Sequence, residues 1–150
     1  MSSRYSVFYC KKEPDGPFKE VNLSCESPEF EDKELTDFSQ DWGEVVYLAE
    51  QDNVGFIHYE HWKKGLLIRR LKYNDDYSWL SSDGEPEQWE TELLFSPESL
   101  EMTLRAYDPE RHQEIRQIWE RKRIESGDFF PQLGSINLIG ILTRFWKLPT

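Results

Sequence analysis

Between Val54 and Tyr73 the chain reads VGFIHYEHWKKGLLIRRLKY, two runs of β-prone residues on either side of Lys63-Lys64-Gly65. Apolar and polar positions alternate, unevenly, through both runs, which is the period of a half-buried strand pair. A three-residue loop with Gly last, a type I turn closed by a bulge, is the preferred connection. A two-residue Lys64-Gly65 loop would need positive φ at Lys64, which a side chain with a Cβ disfavours. The preferred register pairs Trp62 with Leu66, Glu60 with Ile68, His58 with Arg70 and Phe56 with Lys72. It sends Ile57, Tyr59, His61, Leu67, Arg69, Leu71 and Tyr73 toward the core. Phe56, His58, Glu60, Trp62, Leu66, Ile68, Arg70 and Lys72 then share the other face.

The rest of the pattern divides into strands first and helices after. Residues 4–10 alternate as a strand, Pro14-Asp15-Gly16-Pro17 is a turn, and Phe18 to Ser24 returns as its partner. Leu35, Phe38 and Trp42 fall at helical spacing in an amphipathic stretch stopped by Gly43. Glu44–Glu50 and Tyr77–Leu80, with the hairpin between them, predict a four-stranded antiparallel meander over residues 44–82. Pro86 opens a turn that places Trp89 and Leu93 on one face. Ser96-Pro97 and Asp108-Pro109 each carry the cap-then-proline start of a helix. The second of these runs to about Glu125, buries Ile115, Ile118 and Trp119, and is stopped by Ser126-Gly127. A last amphipathic segment, 132–145, aligns Leu138, Ile139, Leu142 and Phe145. This order predicts an α+β fold, an antiparallel meander sheet packed on one face by C-terminal helices, in a single globular domain spanning 1–150.

Composition narrows the class. With 150 residues, 37% hydrophobic and 15% aromatic, the chain has enough apolar side chain for a core and is not a disordered one. The net charge of −11 opposes binding to nucleic acid, where affinity comes from Lys and Arg, and to an anionic membrane surface. It favours encounter with a basic protein. Cys10 and Cys25 form neither a disulfide framework nor a zinc spacing. The start of the chain lacks a signal-peptide pattern, and no apolar run approaches a membrane span, so a soluble, cytoplasmic protein is expected.

Candidate chemistry is sparse. His58 and His61 point to opposite faces of a strand because their spacing is odd, which leaves a His58–Glu60 pair and no metal set, with His112 packed on a helix. The sequence contains no nucleophile elbow, no SxxK and no phosphate-binding glycine loop. The carboxylate pairs, among them Glu85 with Glu87 and Glu90 with Glu92, are what so acidic a chain produces by chance. No cofactor is implied. Arg121-Lys122-Arg123 complements a helix C-terminus.

Two explanations compete for the outward hairpin face. In one, a C-terminal helix covers its apolar part and Glu60 and Arg70 form a surface pair worth about 0–1 kcal/mol. In the other, His58, Glu60, Trp62 and Arg70 are binding residues of an interaction patch. The expected function is a non-enzymatic protein-binding or regulatory module, of the immunity or inhibitor kind, contacting a basic macromolecule. The alternative is a small-molecule-binding domain or hydrolase whose pocket uses His58, Glu60 and Arg70. A homodimer is a third expectation.

Overall fold

The computed structural model describes residues 4–13, 15–21, 32–51, 56–74, 78–125 and 138–149. It contains β1 (Arg4–Lys11), β2 (Lys19–Val21), α1 (Asp32–Trp42), β3 (Glu44–Gln51), β4 (Phe56–Lys63), β5 (Leu66–Asn74) and β6 (Ser78–Gly84). A π-helical turn (Glu90–Leu94), α2 (Pro97–Ala106), a 3-10 turn (Pro109–Arg111), α3 (His112–Arg121) and α4 (Leu138–Trp146) follow. The strands form one six-stranded sheet, in the order β2-β1-β3-β4-β5-β6, with every neighbouring pair antiparallel. The α+β class and the central meander are therefore as the alternation predicts. The turns at 52–53 and 75–76, the 22–24 end of the second strand, Cys25, the Ser126-Gly127 stop and residues 132–137 lie outside the described residues.

Two apolar layers hold the sheet, one on each face. The larger collects Val46, Leu48, Ile57, Tyr59, Leu71, Tyr73 and Trp79 from the strands against Trp89, Leu94, Phe95, Ile115, Trp119, Leu138 and Leu142 from the helical half. Each such fully buried side chain contributes roughly 1.5–3 kcal/mol. The smaller layer is built on Phe8, Cys10, Val45, Tyr47 and Trp62, and α1 closes it with Leu35, Phe38 and Trp42. The helix that covers Trp62 is thus α1, ahead of the meander in sequence, and not one from the C-terminal half.

The hairpin corrects the preferred register. Lys63 pairs with Leu66 across a two-residue turn, and both Lys64 (φ 49) and Gly65 (φ 85) adopt positive φ. Tertiary contacts offset the cost at Lys64. Its amide donates to the Gly43 carbonyl at 2.8 Å, and the Gly65 amide donates to Ser39 Oγ at 2.8 Å, so the end of α1 holds the turn from outside. A bulge between His61 and Trp62 leaves Ile68 unpaired. Beyond it the pairing runs Glu60 with Arg70 and His58 with Lys72, two residues from the expected register. A shift of two preserves which face each side chain occupies. Most of the inward set is therefore correct, and Leu67, on the turn side of the bulge, crosses over to pack with Trp62.

The helical half also departs from the pattern in two places. Trp89 and Leu94 are buried while Leu93 is exposed, because Phe95 N donates to Glu90 O, an i→i+5 bond that widens the turn and rotates Leu93 outward. The Asp108-Pro109 start opens a 3-10 turn before α3, and α3 stops at Lys122 (φ 53), short of Glu125. Ser96 caps α2 by accepting from Ser99 N at 3.2 Å, as its sequence pattern predicts.

Gly84 closes β6 beside Arg69 with φ 90, and a Cβ there would stand 2.1 Å from the Ile68 carbonyl oxygen. Gly84→Ala is expected to lose about 1–3 kcal/mol of unfolding free energy, read as a lower urea midpoint at unchanged m-value.

Candidate functional site

Strand geometry places His58, Glu60 and Trp62 on one face of β4, and the register sets Arg70 directly opposite Glu60. All four expected site residues meet at the Glu60 carboxylate. Trp62 Nε1 donates to Oε1 at 2.8 Å, Arg70 Nη2 donates to Oε1 at 3.0 Å, and His58 Nε2 bonds Oε2 at 2.5 Å. Burial opposes ionisation of Glu60, but these donors outweigh it and hold the carboxyl at about 2. The Glu60–Arg70 pair is not a surface ion pair, since Glu60 is buried at 3% exposure. Nor does Trp62 stand on a free face. It is equally buried, packed in the layer that α1 closes, and is not an exposed anchor.

The opposite face carries a second polar assembly, at the end of the sheet where β3 begins and β6 ends. His61 Nδ1 donates to Glu87 Oε2 and Nε2 to Glu44 Oε2, both at 2.6 Å. Lys11 lies 3.4 Å from the other Glu44 oxygen. Glu87 also accepts from Tyr59 Oη at 2.6 Å and Trp89 Nε1 at 3.1 Å, and Trp146 Nε1 of α4 donates to Tyr59 Oη at 3.1 Å. Burial favours the neutral imidazole of His61, but the two carboxylates prevail and raise its pKa. Burial likewise opposes the charges on Glu44 and Glu87, yet His61 and their other donors bring both below the usual carboxylate range. Burial and the adjoining Glu87 push the Tyr59 hydroxyl well up.

Next to this assembly Arg69 forms a two-pronged ion pair with Glu90, Nε to Oε2 at 2.9 Å and Nη2 to Oε1 at 2.6 Å, both side chains without solvent exposure. Arg69 Nη1 also donates to Ser82 Oγ and to the carbonyls of Asp83 and Gly84. Glu87 N donates to Glu90 Oε2 at 2.8 Å, which couples the two groups. Burial raises the Glu90 carboxyl in spite of Arg69.

This second assembly was missed in the sequence, where Glu87 and Glu90 read as chance acids. A signal was nonetheless present. Once His61 and Arg69 are assigned to the inward face, each needs a buried partner of opposite charge, and the chain supplies acids in the Glu85–Glu92 segment that follows β6.

The chemistry of both clusters is that of saturated pairs. Both His61 nitrogens are occupied, and Glu60 and Glu87 accept three donors each. Cys10 is buried, and burial pushes its thiol up, away from the reactive thiolate. His112 Nε2–H donates to the carbonyls of Leu104 and Tyr107, closing the end of α2. Among the described residues no group of three or more His, Cys, Asp or Glu side chains is placed to hold a metal ion. Nor is any helix among them long and apolar enough to cross a membrane. No family model matches the chain, and comparison with curated proteins and with solved structures finds no significant similarity.

Proposed function

We propose that the chain is a non-enzymatic binding module, of the inhibitor or immunity type, that contacts a basic macromolecular partner. The observation that carries this reading is the internal saturation of its buried ionisable groups. Glu60 is committed to His58, Trp62 and Arg70, His61 to Glu44 and Glu87, and Arg69 to Glu90, an arrangement that ties the elements of the fold together rather than presenting these groups to a substrate. Acidity is concentrated in sequence before and within α1, where Glu26, Glu29, Glu31, Asp32, Glu34, Asp37 and Asp41 stand against Lys33 alone. Asp37 and Asp41, one helical turn apart, are exposed. Such a helix steers a cationic partner at long range and sets association rate more than intrinsic affinity.

The experiment is affinity capture followed by stopped-flow association with the captured protein. Association is expected to slow at least about tenfold between low and high ionic strength, and to slow further in Asp37→Lys/Asp41→Lys. A captured partner that is acidic, or a rate flat across salt, sinks the electrostatic reading.

A ligand pocket or hydrolytic site on His58, Glu60 and Arg70 is the second reading, favoured by the convergence of these side chains. It is less well supported, because the carboxylate that would act as base is held near 2 and already accepts three donors.

A further inference from the structure

We propose that His61 is a proton-dependent latch. With both ring nitrogens protonated it ties the first residue of β3 to the connector between β6 and the π-helical turn, and on losing a proton it releases Glu44. This inference is independent of the binding function proposed above.

The argument rests on donor count. An imidazolium has two N–H donors and a neutral imidazole has one. His61 presents each nitrogen to a carboxylate oxygen at 2.6 Å, and its side chain is 6% exposed. In the neutral ring one nitrogen lone pair would face a carboxylate lone pair in a poorly solvated setting, so one of the two contacts has to open.

The surrounding groups decide which. Among the described residues, Glu87 keeps the Tyr59 hydroxyl of β4 and the Trp89 indole, whereas Glu44 keeps Lys11 of β1 alone, at 3.4 Å. Arg69 of β5 pairs directly across from His61, but its guanidinium is bound by Glu90. From α4 the Trp146 ring lies 4.7 Å from the His61 ring, while Arg144 and Lys147 are exposed. Glu44 is therefore the arm with the weaker second hold.

Release at Glu44 has a short path outward. Gly43, its neighbour, ends α1 and accepts the Lys64 amide of the hairpin turn at 2.8 Å. Opening the Glu44 contact loosens the junction that fixes both α1 and the turn. The pH direction follows from the charges. The His61 contribution is fully present below the ordinary histidine value of 6.5 and disappears as pH rises through the raised folded value. The Glu44 and Glu87 contributions are present above 4.5 and disappear as pH falls through their lowered values. The latch is therefore closed between these limits.

The test is an NMR titration of the full chain from pH 5.5 to 9.5, following the His61 ring nitrogens and the backbone amides, in the native protein and in Glu44→Gln. The expected result is a doubly protonated His61 ring at pH 6.5. The amides of Gly43, Glu44 and Lys64 should then shift with the midpoint of the ring, and Glu87 should shift less. In Glu44→Gln the midpoint should move to lower pH. A ring that is neutral at pH 6.5, a ring titration without a matching response at Gly43 and Lys64, or a midpoint unmoved in Glu44→Gln overturns the proposal. Should Glu44→Gln fail to fold, the native titration decides on the first two outcomes alone.

Discussion

Arg69→Met is expected to lower the unfolding free energy by roughly 3–5 kcal/mol, the cost of leaving one member of a buried ion pair without the other. Glu90 has no solvent exposure, so its charge cannot be rescued by water, and Gly84 and Asp83 lose the donor to their carbonyls as well. Against a typical total of about 5–15 kcal/mol, such a loss unfolds a substantial fraction of the molecules near body temperature. The double variant Arg69→Met/Glu90→Leu is expected to recover most of it, because an apolar pair of similar volume needs no counter-charge. Full recovery is not expected, since the Glu87 amide, which donates to Glu90, is left without its acceptor. Urea unfolding of the native protein, Arg69→Met, Glu90→Leu and the double variant as a double-mutant cycle measures the coupling. A single substitution that costs less than about 1 kcal/mol would mean that the pair is far better hydrated than its geometry indicates.

The second large effect lies on the other face, at Glu60. Its carboxyl is depressed from 4.5 to about 2, and each pKa unit corresponds to about 1.4 kcal/mol, so its ionised form contributes on the order of 3 kcal/mol at neutral pH. Because the folded value is the lower one, this contribution is present above 4.5 and is lost as pH falls toward 2. Glu60→Ala is expected to remove about that amount at pH 7 and to flatten the acid limb of the stability profile. Arg70 and the Trp62 indole lose their buried acceptor. Unfolding of Glu60→Ala and the native protein at pH 2.5, 4.5 and 7 makes the comparison. Equal losses at all three values would assign the effect to packing and not to the charge.

The two assemblies differ in how far they could be read in advance. Strand alternation places His58, Glu60 and Trp62 on one face, and the expected register adds Arg70. The four do meet, because the bulge at His61/Trp62 offsets the two-residue turn, so the pairing moves by two and Arg70 keeps its face. What alternation misjudged was the environment of the group. The expected free face carries α1, and Trp62 is a core residue there. The Glu44–His61–Glu87 and Arg69–Glu90 groups join residues from β3, β4, β5 and the segment after β6, separated by 17 to 26 positions. No local period reports such pairs, and only the requirement that buried charge be neutralised hints at them.

The hairpin shows the same division on a smaller scale. Lys at a positive-φ position is locally unfavourable, and a sequence argument correctly ranks that turn lower. The structure adopts it because two hydrogen bonds from the end of α1, at Gly43 and Ser39, hold the turn in place. Similarly, the Trp89–Leu93 spacing fits an α-helix, and the i→i+5 turn that replaces it begins at Glu90, whose carboxylate Arg69 holds from β5.

The sequence by itself determined the α+β class, the meander, the α1 segment and the Ser96 cap that opens α2. Each depends on side-chain period, turn chemistry or a cap, all of which act within a few residues. The tertiary structure decided the register, the face that α1 covers and the partner of every buried charge. Those choices are made by contacts between elements, where desolvation of a charge outweighs any local preference.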